Sequence, residues 1–144
     1  EKINATGTFN QGFMTTELAA AAILDLKWHM LESMEGVDPM AFEAAACKAM
    51  GLIDEIIPRY RTTYFNHIFN SGYSAGYYSY LWAEVLDKDA FEMFKQNGIF
   101  DPATATSFRS NILEKGGSDE PMTLYRNFRG ADPDPSALVK ARGL

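Results

Sequence analysis

The chain has 144 residues, a net charge of −6, 47% hydrophobic and 22% charged side chains, and one cysteine. That is the profile of a globular chain long enough for one domain of ordinary size, which buries roughly 68–70% of its unfolded surface. The acidic balance and the scattered Lys and Arg argue against a nucleic-acid surface, which needs clustered positive charge. The close basic pairs Arg59/Arg61 and Arg126/Arg129 read as carboxylate partners or solvated charges. A lone Cys47, in the apolar run "AFEAAACKAM", permits neither an internal disulfide nor a cysteine-based zinc site and reads as a small buried hydrophobe. No apolar run reaches the length of a membrane span, because "LAAAAILDL" is interrupted by Asp25.

Residues 1–13 read as an extended or irregular entry, with Gly7 and Gly12 as breakers. A helix is expected over "TTELAAAAILDLKWHMLES", capped by Thr15 or Thr16, with Glu17 at its positive end. Leu18, Ala22, Asp25 and His29 lie on one stripe, and apolar residues cover most of the rest, which implies burial on more than one side. His29 and Glu32 share a helix side and read as a structural or exposed pair. A second helix opens with Asp38 as cap and Pro39 at its first position, and Gly51 closes it. Pro58 ends any helix before it, and the residues that follow suit helix or strand.

Helical periodicity resumes over "GYSAGYYSYLWAEVLDKDAFEMFKQNG", with a bend expected at Asp87 or Lys88 and a stop at Gly98. Asp-Pro starts recur at Asp101-Pro102, closed by Gly116, and at Asp134-Pro135, closed by Gly143. Between them "EPMTLYRNFRG" makes a short helix from Pro121 to Gly130. The expected fold is all-α: a single helical domain over residues 1–144, with six or seven helices joined by short turns.

The stretch "HIFNSGYSAGYYSYLW" places four tyrosines within residues 73–80, together with two glycines and following a histidine. On a helix from residue 73, Tyr73, Tyr77 and Tyr80 share a face, while Tyr78, Leu81, Trp82 and Val85 point toward a core. Such a stripe has a bland reading, an aromatic helix packed on its neighbours with wetted hydroxyls. It also has a functional one: neutral phenols donating hydrogen bonds to a carbonyl or an oxyanion, beside His67. Gly72 and Gly76 suit a loop that closes over something.

The run "RYRTTYFNHIFNSGYSAGYYSYLWAEVLDKDAFEMF" resembles the C-terminal signature of thimet-oligopeptidase-like zinc metallopeptidases, and the peptidyl-dipeptidase branch most closely. "FNQGFMTTELAAAAILDLKWH" and the final "DPATATSFRSNILEKGGSDEPMTLYRNFRGADPDPSALVKARGL" share the resemblance, which covers essentially the whole chain. It implies the C-terminal helical portion of a zincin-like oligopeptidase that removes dipeptides from short peptide substrates. It implies that Tyr80 donates to the scissile carbonyl oxygen, that Tyr73 assists and holds the substrate backbone, that His67 binds substrate, and that Gly72 and Gly76 form a hinge.

The family binds zinc through H-E-x-x-H and a downstream Glu, and neither is found here. The resemblance therefore implies zinc in the full-length enzyme, with ligands and general base on upstream polypeptide and no metal ligands in this chain. It also implies that the remainder of the same polypeptide is a partner, that the fragment alone is inactive, and that exposed apolar surface favours its self-association. It points to a soluble bacterial enzyme, cytoplasmic or periplasmic, with any leader upstream. The alternative from the residues alone is a free-standing acidic helical module that binds a peptide or protein in an aromatic cleft.

Overall fold

The structure, a computed structural model, describes residues 6–144, and every regular element in it is helical. Contacts divide the chain into two compact units, one running to Trp82 and the other from Ala83 to Leu144.

The first unit is built on α1 (Gln11–His29) and α2 (Pro39–Ala49). A 3-10 turn at Thr62–Tyr64 and the single-turn α3 (Asn66–Phe69) follow. α1 starts earlier than expected. Asn10 precedes it with φ 59°, and the Thr16 hydroxyl donates back to the Gly12 carbonyl at 2.8 Å from inside the helix, so neither Thr15 nor Thr16 caps it. Gly12 alone does not stop a helix, since its cost is only about 1 kcal/mol and helix formers surround it. The irregular entry expected up to residue 13 is thus corrected from Gln11 on, and its first five residues lie outside the described part.

Ala20, Ala21, Ala22, Leu24, Asp25 and Trp28 of α1 are buried, which spreads burial over more than one side of the helix as expected, while Ile23 is exposed. α2 follows its punctuation. The Asp38 carboxylate accepts the Ala41 N–H at 2.7 Å, Pro39 opens the helix, and Gly51 follows it at φ 71°. Trp28, Phe65, Ile68 and Tyr77 meet α1 and α2 alanines in the core. The stretch after Pro58 is neither strand nor long helix because a carboxylate claims its backbone. Glu43 on α2, almost fully buried, accepts the Thr62 N–H at 2.6 Å and pairs with Arg61, while the Trp28 indole donates to the Thr62 hydroxyl at 3.0 Å. Cys47 is only half-buried, and desolvation raises its thiol above the usual range.

α4 (Ser79–Asn97) runs on through the position where a bend is expected. Asp87 and Lys88 pair with each other at 2.8 Å on its exposed side, and no Gly or Pro interrupts its hydrogen bonds. In the second unit Ala90 packs with Tyr125 and Phe128 of α6 (Pro121–Arg129), joined by Phe94, Phe108 and Met122. Asp89, buried beside them, accepts the Tyr125 hydroxyl at 2.6 Å and both Nε (3.1 Å) and Nη2 (3.2 Å) of Arg129. That interaction fixes Arg129 as a carboxylate partner, as Asp132 does for Arg126.

α5 (Pro102–Phe108) is capped by Asp101, which takes the Thr104 N–H at 2.7 Å, and continues into a π-helical turn over Arg109–Leu113. α7 (Ser136–Arg142) begins one residue later than its Asp-Pro signal implies, with Pro135 as the cap residue. Among the described residues no helix is long and apolar enough to cross a membrane.

Candidate functional site

The tyrosine stretch is not a helix at its start. Residues 71–78 form successive turns and α4 begins only at Ser79. The cause lies elsewhere in the sequence. Asp25 of α1 accepts the N–H of Ala75 at 3.0 Å and of Tyr77 at 2.9 Å, and Ala75 sits at φ 53°, which a right-handed helix does not admit. The loop's own serines tie its front to α3: Ser74 donates to the Ile68 carbonyl at 2.7 Å, and Ser71 donates to that of His67.

The shared helix face expected for Tyr73, Tyr77 and Tyr80 is therefore replaced by loop geometry, yet the three rings still meet at Tyr80, with only Tyr73 and Tyr80 half-open to solvent. The Tyr73 and Tyr80 rings stack with centroids 5.3 Å apart and planes 18° apart. They are 38% and 39% exposed. A hydrogen bond to Tyr73, with some desolvation, holds the Tyr80 phenol above its usual range, so the hydroxyl stays protonated at neutral pH. Tyr77 turns inward instead. It is 3% exposed, packed edge-on against Phe65 and Tyr80, each at 5.0 Å. Burial raises its pKa as well. Tyr78 and Trp82, expected in the core, are exposed. Losing the helix before residue 79 rotates the whole set.

His67 is half-buried within an aromatic group: Tyr60 at 4.8 Å, Tyr77 at 5.8 Å, and Phe65 and Tyr73 each at 6.3 Å between centroids. The fold thus brings His67, Tyr73 and Tyr80 together through Tyr73, as contiguous rings on one unit. Tyr60, which also stacks on Phe65 at 5.2 Å, is a member that sequence reading passed over. Its place within the "RYRTTYFNHIF" run is the available signal.

Gly72 and Gly76 need no special conformation here. Neither has positive φ, a Cβ at Gly72 would meet nothing within 4 Å, and one at Gly76 would touch only the Tyr73 backbone at 3.5 Å. His29 proves to be paired not with Glu32 but with Asp25. Its Nδ1 lies 2.8 Å from Oδ1 of Asp25 and 2.9 Å from the Asp25 carbonyl. Both neighbours are acceptors, so this nitrogen carries the proton. Among the described residues no three His, Cys, Asp or Glu side chains converge as a metal-ligand set.

An all-helical chain that presents paired phenols beside a histidine in this motif has counterparts among known proteins. Residues 1–144 match Peptidase family M3, and the chain belongs to that family. It is 40% identical over its whole length to dipeptidyl carboxypeptidase of Escherichia coli K12, of which it covers 21%. Over 56% of its length it is 55% identical to oligopeptidase A of Haemophilus influenzae, covering 12% of that protein. It is 35% identical, again over its whole length, to the organellar oligopeptidase A of Arabidopsis thaliana, covering 19%. The chain spans about a fifth of the length of the full-length relatives it matches end to end.

Proposed function

We propose that this chain is the substrate-binding and oxyanion-stabilising part of a zinc metallopeptidase that hydrolyses short peptides and releases C-terminal dipeptides. One observation carries the reading: Tyr73 and Tyr80 are stacked and more than a third exposed, with His67 against Tyr73. Two adjacent phenols, each with an open side, can donate to a peptide carbonyl. As a nucleophile adds to the carbonyl carbon, negative charge grows on its oxygen. A neutral donor held at that point binds the charged form more tightly than the ground state and so lowers the barrier. Tyr80, on the first turn of α4, is the donor to that oxygen. Tyr73 assists it and holds the substrate backbone, and His67 offers a further contact to substrate. Gly72 and Gly76 bracket Tyr73 and are the hinge of the loop.

Zinc is the metal of this family, but the described residues do not form a site for it. In this reading the chemistry of this chain is to grip and polarise substrate. Metal and general base belong to the remainder of the same polypeptide, which is this chain's first partner, and the isolated chain is inactive.

Replacement of Tyr80 by Phe in the complete polypeptide tests the reading. The ring stack survives and only the hydroxyl is lost. The expected result is a fall in kcat of about 100- to 1000-fold, as for loss of an oxyanion donor, with little change in KM. An unaltered kcat would remove Tyr80 from the chemistry.

A further inference from the structure

Among the described residues three carboxylates are almost wholly buried, and two of them take an arginine: Glu43 takes Arg61 and Asp89 takes Arg129. Asp25 differs. At 0% exposure its ion-pair partner is the i+4 imidazole of His29, and its two oxygens are spent on main-chain N–H groups fifty and fifty-two residues away. A carboxylate taken out of water is costly unless its lone pairs are filled. Here they are filled by the tyrosine loop itself. Ala75, a non-glycine in the left-handed region, is held there by the bond its own N–H makes to Asp25 Oδ1. The Tyr77 N–H is held by Oδ2, and the Tyr77 ring in turn packs on Tyr80 at 5.0 Å and on His67 at 5.8 Å.

From these contacts we infer that Asp25 is a positioning residue for the peptidase site. Its carboxylate sets the conformation of residues 74–77 and so presents Tyr73 and Tyr80 as a stacked pair of donors. His29 lies against the same carboxylate, its Nδ1 2.8 Å from Oδ1 while donating to the Asp25 main-chain carbonyl at 2.9 Å. The inference rests on the reading of Tyr80 as an oxyanion donor, and it adds a residue of α1 that touches no substrate.

The test is a double-mutant cycle in the complete polypeptide, with Asp25→Asn, Tyr80→Phe and the pair. Asp25→Asn keeps one acceptor oxygen and the side-chain shape. The expected loss in kcat is about 10- to 100-fold with KM nearly unchanged, the scale of a misplaced catalytic group. The double variant is expected to be slower than Tyr80→Phe alone by less than the Asp25→Asn loss measured by itself, because part of what Asp25 does passes through Tyr80. Multiplying losses would show that Asp25 acts independently of Tyr80 and would overturn the inference.

Amide exchange on the unaltered protein supplies a readout that survives a variant that fails to fold. The N–H groups of Ala75 and Tyr77 should exchange markedly more slowly than those of Ser71 and Gly72, and Asp25→Asn should release them without lowering protection in α2. Equal exchange across the loop sinks the tether. If Tyr80→Phe itself leaves kcat unchanged while the Ala75 and Tyr77 amides are protected, the functional reading falls and the tether stands as architecture alone.

Discussion

At the scale of single residues, the telling comparison is between phenols three positions apart. Tyr77 and Tyr80 are the same side chain with opposite roles, because one is sealed against Phe65 and the other keeps an open side. The pKa of Tyr80 is raised above the ordinary value of 10.0, chiefly by its hydrogen bond to Tyr73. A raised pKa means that the donating form is complete at lower pH and is lost only as pH climbs through the raised value. The expected kcat–pH profile of the complete enzyme therefore has no descending limb from Tyr80 below pH 10, and Tyr80→Phe lowers the profile without changing its shape there. A limb that the variant abolishes would contradict this.

At the scale of elements, the helix starts at Pro39, Pro102 and Pro121 were legible, while those of α1 and α4 and the loop before α4 were not. Asp38-Pro39 and Asp101-Pro102 act as local devices whose carboxylates reach N–H groups three residues on, so short stretches suffice to read them. The 71–78 loop obeys a residue on another helix, and helical periodicity continued through it in the sequence. The glycines carry a prediction at this scale. In the conformation seen, Gly72→Ala and Gly76→Ala meet no obstruction, so each should change stability by less than about 1 kcal/mol in urea denaturation. If the loop closes over substrate on a glycine hinge, the same variants should lower kcat/KM severalfold in the complete enzyme. Full activity in both would discard the hinge.

At the scale of the whole molecule, the matched relatives are about five times longer than this chain, and several large apolar side chains lie open in each unit. Phe9, Met30 and Ile57 are exposed in the first unit, and Phe100, 93% exposed, in the second. Exposed apolar side chains favour association where they gather into a patch. Expressed alone, the chain should therefore scatter light as a self-associated species, bind no stoichiometric zinc in a metal titration, and release no dipeptide from test peptides. A clean monomer would count against the first expectation. Tight zinc binding or turnover would refute the others.

The sequence by itself determined the all-α class, most helix boundaries, and the family, since caps, prolines and a dense aromatic motif act over a few residues and leave their mark in order along the chain. It also pointed to His67, Tyr73 and Tyr80 together. What only the tertiary structure decided was how they come together: a buried Asp25, fifty residues before Ala75, withholds backbone N–H groups from a helix that the local pattern favours. Periodicity reports the preference of a segment for itself. A carboxylate that must find donors away from water is answered by whichever backbone the fold brings to it, and no local pattern records that choice.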